Sequence, residues 1–157
     1  MRLADRIAKR FRSTSFRTYV LIPTVVLIWE WVWRGDQFRI DPWFVPIMFW
    51  GYLQYRWVGG YRVRRGGGGP GMNNPPERLV TEGPYTYCRN PMYLGHIIFL
   101  IGLALSLRSW LASVIALASA IWFQRRVIRD ERRLAERFGR EYADYMERVK
   151  RWIPGFF

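Results

Sequence analysis

TEGPYTYCRNPMYLG, residues 81–95, marks the point where this chain changes character, from turn-forming polar sequence to an uninterrupted apolar run. Gly83-Pro84 cannot sit inside a helix or strand, whereas Pro91 suits the first turn of a helix, where its missing N–H costs nothing. The next helix is therefore predicted to begin at Pro91, with Arg89 and Asn90 held at its mouth. An arginine at the end of an apolar helix needs a polar partner or water. Residues 88–91 are accordingly the first candidates for a site.

Working outward, half of the 157 residues are hydrophobic and the formal net charge is nonetheless +13. The two facts are reconciled by segregation. Apolar residues gather in four blocks, Tyr19 to Trp33, Pro42 to Val58, Pro91 to Leu107 and Trp110 to Phe123, and nearly all charge lies between them. The pattern predicts an all-α integral membrane protein of one domain, residues 1–157, with four transmembrane helices. The blocks fall somewhat short of the roughly 20 residues that cross a bilayer, so extension by the flanks or a shallow hairpin about Arg108-Ser109 is expected. Of the 25 lysines and arginines, 22 fall on one side of a four-span arrangement and three on the other, which places both termini in the cytoplasm of an inner-membrane protein. That excess has a sufficient cause in topology and anionic headgroups, and no nucleic-acid motif accompanies it, so nucleic acid is excluded as a partner. No protein partner is predicted either.

The arm at residues 1–18 opens with Leu3, Ile7 and Phe11 among basic residues and reads as an in-plane interfacial helix. Residues 59–84 contain four consecutive glycines and read as a flexible cytosolic loop, either a linker or a lid. One cysteine, Cys88, and one histidine, His96, leave no intrachain disulfide and no protein-only zinc site. Gly95, Gly102 and Ser106 share one face of the third span, and Ala112, Ala116 and Ala120 share one face of the fourth. Close packing of that hairpin explains Gly102 and the alanines. For Gly95, packing and clearance for a ligand stand equal.

Beyond the fourth span, Val127, Leu134, Phe138, Tyr142, Tyr145 and Val149 repeat at helical spacing, so a C-terminal cytosolic helix extending that span lies against the rest of the fold. Glu131 occupies the missing position of the stripe, with no basic residue three or four positions away. Asp130 has Arg126 and Arg133 at those distances. A carboxylate on a packing face is costly to bury alone, so Glu131 is predicted to find a partner elsewhere in the fold or in a bound cation.

These two stretches, GPYTYCRNPMYLG and DERRLAERFGREYADYMERVKRWIP, resemble the two signature blocks of the membrane methyltransferases that include isoprenylcysteine carboxyl methyltransferase and the phospholipid N-methyltransferases. With the hairpin between them they cover residues 81–154, about half the chain. Tyr85, Arg89, Pro91, Tyr93 and Gly95 match the first block. Glu131, Leu134, Phe138, Gly139 and Tyr142 match the second. Departures are Asp130 for the first of two paired acids and Asn90 where histidine is common.

The resemblance implies S-adenosyl-L-methionine as cofactor, held at the cytosolic end of the helical core, and transfer of its methyl group to a lipid or other amphipathic acceptor. Methyl transfer from a sulfonium needs positioning and exclusion of water more than catalytic groups. By the same resemblance, Arg89 would pair with the cofactor carboxylate and Glu131 with its ammonium or ribose, these two being the residues on which the chemistry rests. Tyr85, Tyr93 and Tyr142 would contact the adenine or sulfonium, with Asn90, Pro91, Gly95 and His96 completing the site. An amine acceptor would need a base such as Glu131 or His96. No metal is implied. The competing expectations are a nicotinamide-dependent enzyme resembling sterol reductases and a non-catalytic membrane scaffold.

Overall fold

A computed structural model describes residues 13–69 and 74–152. The regular structure of the described residues is all helical, with no strand. Helix α1 (Ile22–Arg34) continues a π-helical stretch, Arg17–Leu21, and a short turn, Thr14–Phe16, so the first apolar block is one continuous rod ending at Gly35, whose φ of +50° stops it. Residues 1–12, most of the expected interfacial arm, lie outside the described residues. Asp41 accepts a hydrogen bond from the Trp43 amide and opens the turn Pro42–Phe44, which leads into α2 (Val45–Gly66). Helix α3 (Pro91–Leu107) begins at the predicted proline. Arg108 adopts a left-handed conformation, φ +46°, and Ser109 caps α4 (Trp110–Phe138) by accepting from Ala112 N, which closes the expected hairpin.

Helix α3 is the axis of the molecule, with most of its residues buried, and α2 lies against it at backbone distance. A Cβ on Gly95 would stand 2.8 Å from Gly51 O and 3.0 Å from Tyr55 N, and one on Gly102 would stand 2.6 Å from the Met48 Cα. The small-residue face of α3 therefore receives α2, not α4, which corrects the expected hairpin packing of Gly102. Arg34 Nη1 donates to Leu107 O and Asp41 N to Ser106 O at one end, while Gln54 Nε2 donates to Pro91 O towards the other, so α1 and α3 run alike and α2 runs against them.

Two boundaries differ from the sequence expectation. Helix α2 runs through Gly59 and Gly60 to Gly66, so the loop starts at residue 67 and not at 59. The helix persists because Arg62, buried within the fold, donates from Nη1 to Asn74 O and from Nη2 to Gly69 O, and Gly66 O accepts from the amides of Glu77 and Arg78. The C-terminal stripe is likewise carried by two helices. Gly139, with φ +55°, ends α4 and starts α5 (Arg140–Arg148), which folds Tyr142 and Tyr145 onto Val58, Val80, Tyr85 and Met92.

Of the four apolar blocks, the one in Trp110–Phe138 forms a helix long and apolar enough to cross a membrane, and Pro91–Leu107 is apolar but shorter. Large apolar side chains nevertheless cover the outside of all four helices, among them Ile28, Trp31, Trp50, Trp57, Ile101 and Leu117.

Candidate active site

The chain approaches α3 through a 3-10 turn, Gly83–Thr86, which Gly83 enters with φ +60° and which Thr86 Oγ1 braces by donating to Gly83 O at 2.7 Å. Residues 88–90 are then stitched to the far end of the chain. Arg89 N donates to Lys150 O at 3.0 Å, Cys88 Sγ donates to Arg151 O at 3.3 Å, and Asn90 N donates to Cys88 Sγ at 3.3 Å. Burial pushes the Cys88 thiol up to about 11, so it is a neutral structural donor.

Glu131 finds its partners within the fold. Its Oε1 accepts from Arg89 Nε at 3.1 Å and Asn90 Nδ2 at 2.9 Å, and its Oε2 from Arg151 Nε at 2.9 Å. Arg89 turns its Nη1 to Met146 O at 2.9 Å and Val149 O at 2.7 Å, satisfying the carbonyls left open where α5 ends. Both side chains of this pair are nearly fully buried. Burial alone would raise the Glu131 carboxyl, but the hydrogen bonds from Arg151, Arg89 and Asn90 outweigh it and hold the group below the usual carboxylate range.

Beside this network lies a cavity of about 450 Å³, within the size range of small-molecule sites. Its walls come from both signature stretches and the loop between α2 and α3: Tyr85, Arg89, Asn90, Pro91 and Tyr93 from the first, Asp130, Leu134, Tyr142 and Tyr145 from the second, and Pro75, Pro76, Leu79 and Val80 from the loop. Six of the nine residues singled out in the sequence thus meet at one cavity: Tyr85, Arg89, Asn90, Pro91, Tyr93 and Tyr142.

Gly95, His96 and Glu131 do not line it. Gly95 is spent on the contact with α2. His96 is fully buried, with Nδ1 3.0 Å from the Tyr19 hydroxyl and 3.1 Å from Met92 O and its ring between those of Tyr19 and Tyr55. Glu131 stands behind the wall and holds Arg89 and Asn90 in it.

The carboxylate that does line the cavity is Asp130, which sequence reasoning set aside. Tyr93 Oη donates to Asp130 Oδ2 at 2.5 Å, Arg126 Nε donates to Tyr93 Oη at 2.8 Å, and Arg126 and Arg133 lie 3.7 and 3.8 Å from the Asp130 carboxylate. The arginines at helical spacing gave Asp130 partners on its own helix, so its sequence called for no further one. The missing signal was Tyr93, which comes from the other block and turns the cluster inward. Arg62, Arg133 and Arg137 are further lining residues that periodicity did not single out, and Tyr145, a member of the apolar stripe, joins them. Burial raises the Tyr85, Tyr142 and Tyr145 phenols above their ordinary value, so they stay protonated; the Tyr145 O–H donates to Tyr85 O at 2.7 Å, which leaves its ring face, and the ring faces and O–H groups of Tyr85 and Tyr142, for a ligand.

Two separated sequence blocks thus close one polar-and-aromatic cavity at the end of an apolar helical hairpin, in an all-helical core with no Rossmann sheet among the described residues. Residues 69–141 match the family model for phospholipid methyltransferases. Protein-S-isoprenylcysteine O-methyltransferase B of Arabidopsis thaliana is 38% identical over 80 residues, 50% of this chain and 40% of that protein. The mouse protein-S-isoprenylcysteine O-methyltransferase is 37% identical over 78 residues, 48% of this chain and 27% of the relative. A nickel-cobalt-cadmium resistance protein, NccN, of Alcaligenes xylosoxydans xylosoxydans is 39% identical over 77 residues, 48% of this chain and 36% of the relative. The segment that carries both blocks is thus similar both to the phospholipid methyltransferase family model and to isoprenylcysteine O-methyltransferases. The chain spans less than half the length of these curated relatives.

Proposed function

We propose that this chain is a methyltransferase that takes its methyl group from S-adenosyl-L-methionine and transfers it to a lipid or other amphipathic acceptor at the cytosolic membrane interface. The observation that carries the reading is the cavity bounded by both signature blocks, with apolar helices leading directly into it. Its lining suits such a cofactor. Tyrosine faces fit an adenine ring and a sulfonium, arginines fit a carboxylate, and Asp130 fits an ammonium or a ribose hydroxyl. When bound, the cofactor supplies an electrophilic methyl group. The protein's part is to hold the acceptor in line and keep water out, which the Leu79, Val80, Leu134 and Met92 walls serve.

The residue roles shift accordingly. Asp130, Tyr93 and Arg126 are assigned direct contact with ligand. Arg89 and Asn90 touch it from the rim, and Glu131 is a positioning residue that acts through them. For an amine acceptor, Asp130 is the carboxylate among the lining residues able to take the released proton. The apolar exterior of α1 to α4 is assigned to lipid, which makes four membrane helices of which α4 is the longest, with the Arg89 end facing the cytosol.

Calorimetric titration of the detergent-purified protein with S-adenosylhomocysteine tests the cofactor, and absence of binding would overturn the methyltransferase reading. Incubation with lipid extract and methyl-labelled cofactor, followed by mass analysis, identifies the acceptor. For topology, cysteines placed singly at Gly68 and Gln124 in a Cys88→Ser background should label from the cytosolic side and one at Asp36 from the opposite side. Gly68 and Asp36 labelling from the same side would end the four-helix arrangement.

A further inference from the structure

The first helical rod is irregular at its start. Across Arg17–Leu21 it is π-helical, with Ile22 N donating to Arg17 O five residues back. On a regular α-helix residues five apart point about 140° away from each other, and the wider turn reduces that angle. Thr14 and Tyr19 accordingly both reach inward. Tyr19 Oη lies 3.0 Å from His96 Nδ1 of α3, and buried Thr14 accepts at Oγ1 from Arg126 Nη1 of α4 at 3.2 Å. Ser15 Oγ meets the Tyr55 hydroxyl, so this one stretch is fastened to α2, α3 and α4.

The contact with Arg126 is the one that bears on the cavity. Arg126 and Asp130 lie one turn apart on α4, the spacing at which an arginine and an aspartate pair directly. Here they stand 3.7 Å apart at Nε and Oδ2, beyond hydrogen-bond distance. The guanidinium is drawn elsewhere, with Nη1 on Thr14, Nε on Tyr93 Oη at 2.8 Å and its carbon 5.3 Å from the centre of the Trp122 ring. Asp130 Oδ2 accepts from the Tyr93 hydroxyl at 2.5 Å. A carboxylate has about four acceptor positions, so Asp130 keeps capacity for a ligand in the cavity it lines.

We propose that Thr14 is a positioning residue of the cavity, which keeps Arg126 on Tyr93 and so leaves the Asp130 carboxylate open to a bound ligand. The proposal rests on the cofactor reading above, in which Asp130 takes an ammonium or a ribose hydroxyl. Without the Thr14 oxygen, the Arg126 guanidinium gains by turning to Asp130, where it competes with the ligand for the same oxygens. The influence comes from a residue 112 positions before Arg126 that is no part of the cavity lining.

Calorimetric titration of the full chain in detergent with S-adenosylhomocysteine reads the effect. Thr14→Val, and Thr14→Ala beside it, should each lower affinity about three- to tenfold, the loss of one hydrogen bond. Thr14→Ser keeps the hydroxyl and should restore it. Ser15→Ala removes the neighbouring hydrogen bond to α2 and should lower affinity far less. In an Asp130→Asn background Thr14→Val should cost almost nothing more, because the carboxylate competed for is gone. Unchanged affinity in both Thr14 variants, an equal loss from Ser15→Ala, or full additivity with Asp130→Asn would overturn the proposal. Fluorine NMR of fluorotyrosine at position 93 gives a reading without cofactor: Thr14→Val should shift its resonance and Ser15→Ala should not. Absence of binding to the unmutated protein would strike at the methyltransferase reading, and an unmoved resonance would overturn the link from Thr14.

Discussion

The two ends of this molecule use one device in two settings. At the hairpin end, buried Glu30 holds Arg34 Nε at 2.7 Å and accepts from Ser109 Oγ, while Arg34 donates onward to Leu107 O and Arg108 O. At the opposite end, buried Glu131 holds Arg89 and accepts from Asn90, while Arg89 donates onward to Met146 O and Val149 O. In each, a glutamate orients an arginine that closes the open carbonyls at a helix end. Glu30 and Arg34 are one turn apart on a single helix, and neither lines the 450 Å³ cavity. Glu131 and Arg89 are 42 residues apart, are joined by a second arginine, Arg151, and back onto the 450 Å³ cavity. A buried Arg–Glu pair is thus not itself the mark of a ligand site. The distinguishing feature is the adjoining cavity, with Asp130, Tyr93 and Arg126 in its wall.

The comparison is most exposed to a change at Arg89. Arg89→Ala would leave Glu131 with reduced compensation and two helix-end carbonyls open, so thermal and denaturant unfolding should show a loss of about 3 to 5 kcal/mol, the range for breaking a buried pair. Cofactor affinity should fall with it. A stable variant with normal affinity would dissolve the distinction drawn here.

Next in size is Asp130→Asn. This side chain is partly exposed, so stability should change little, whereas affinity for S-adenosylhomocysteine should drop by about 1.5 to 3 kcal/mol, the range for a hydrogen bond to a charged group. If Glu131→Gln weakened binding in a fully folded protein and Asp130→Asn did not, the two acidic residues would have to exchange roles. Glu30→Gln supplies the opposite pattern, a loss of roughly 1 to 3 kcal/mol in stability with cofactor affinity unchanged.

Acid gives a further measure of the Glu131 end. Because the folded carboxyl of Glu131 is held below its unfolded value, the folded state binds fewer protons than the unfolded chain in the window between the two. Its stabilisation is complete above the unfolded value and is lost as pH falls through the folded one. The acid limb of a stability–pH curve should therefore flatten in Glu131→Gln. The smallest effect belongs to Cys88→Ser, where a hydroxyl can keep both hydrogen bonds of the thiol, and a change under about 1 kcal/mol is expected from unfolding curves.

Much of this molecule was legible locally. Pro91 marks the start of α3 because a proline at the first turn loses no hydrogen bond, and Arg108-Ser109 marks the hairpin because a serine there can cap the following helix. Glu131 announced itself as a carboxylate without a partner on its own helix, and the partners proved to be Arg89, Asn90 and Arg151. Other features were illegible for physical reasons. Gly59 and Gly60 read as loop, yet the capture of the Gly69 and Asn74 carbonyls by Arg62 anchors the loop against the end of α2. The C-terminal stripe read as one helix, because a periodic pattern does not record that Gly139 has left the helical region.

The sequence by itself determined which residues are apolar, where helices begin and turn, and that two polar blocks flank a hairpin, since these follow from side-chain chemistry and the backbone limits of proline and glycine. Only the tertiary structure decided that Gly95 serves packing, that His96 is enclosed between tyrosines, and that Asp130 rather than Glu131 faces the cavity. Neighbouring residues on a helix point about 100° apart, and which of those directions meets protein and which meets open space depends on helices brought together from distant parts of the chain.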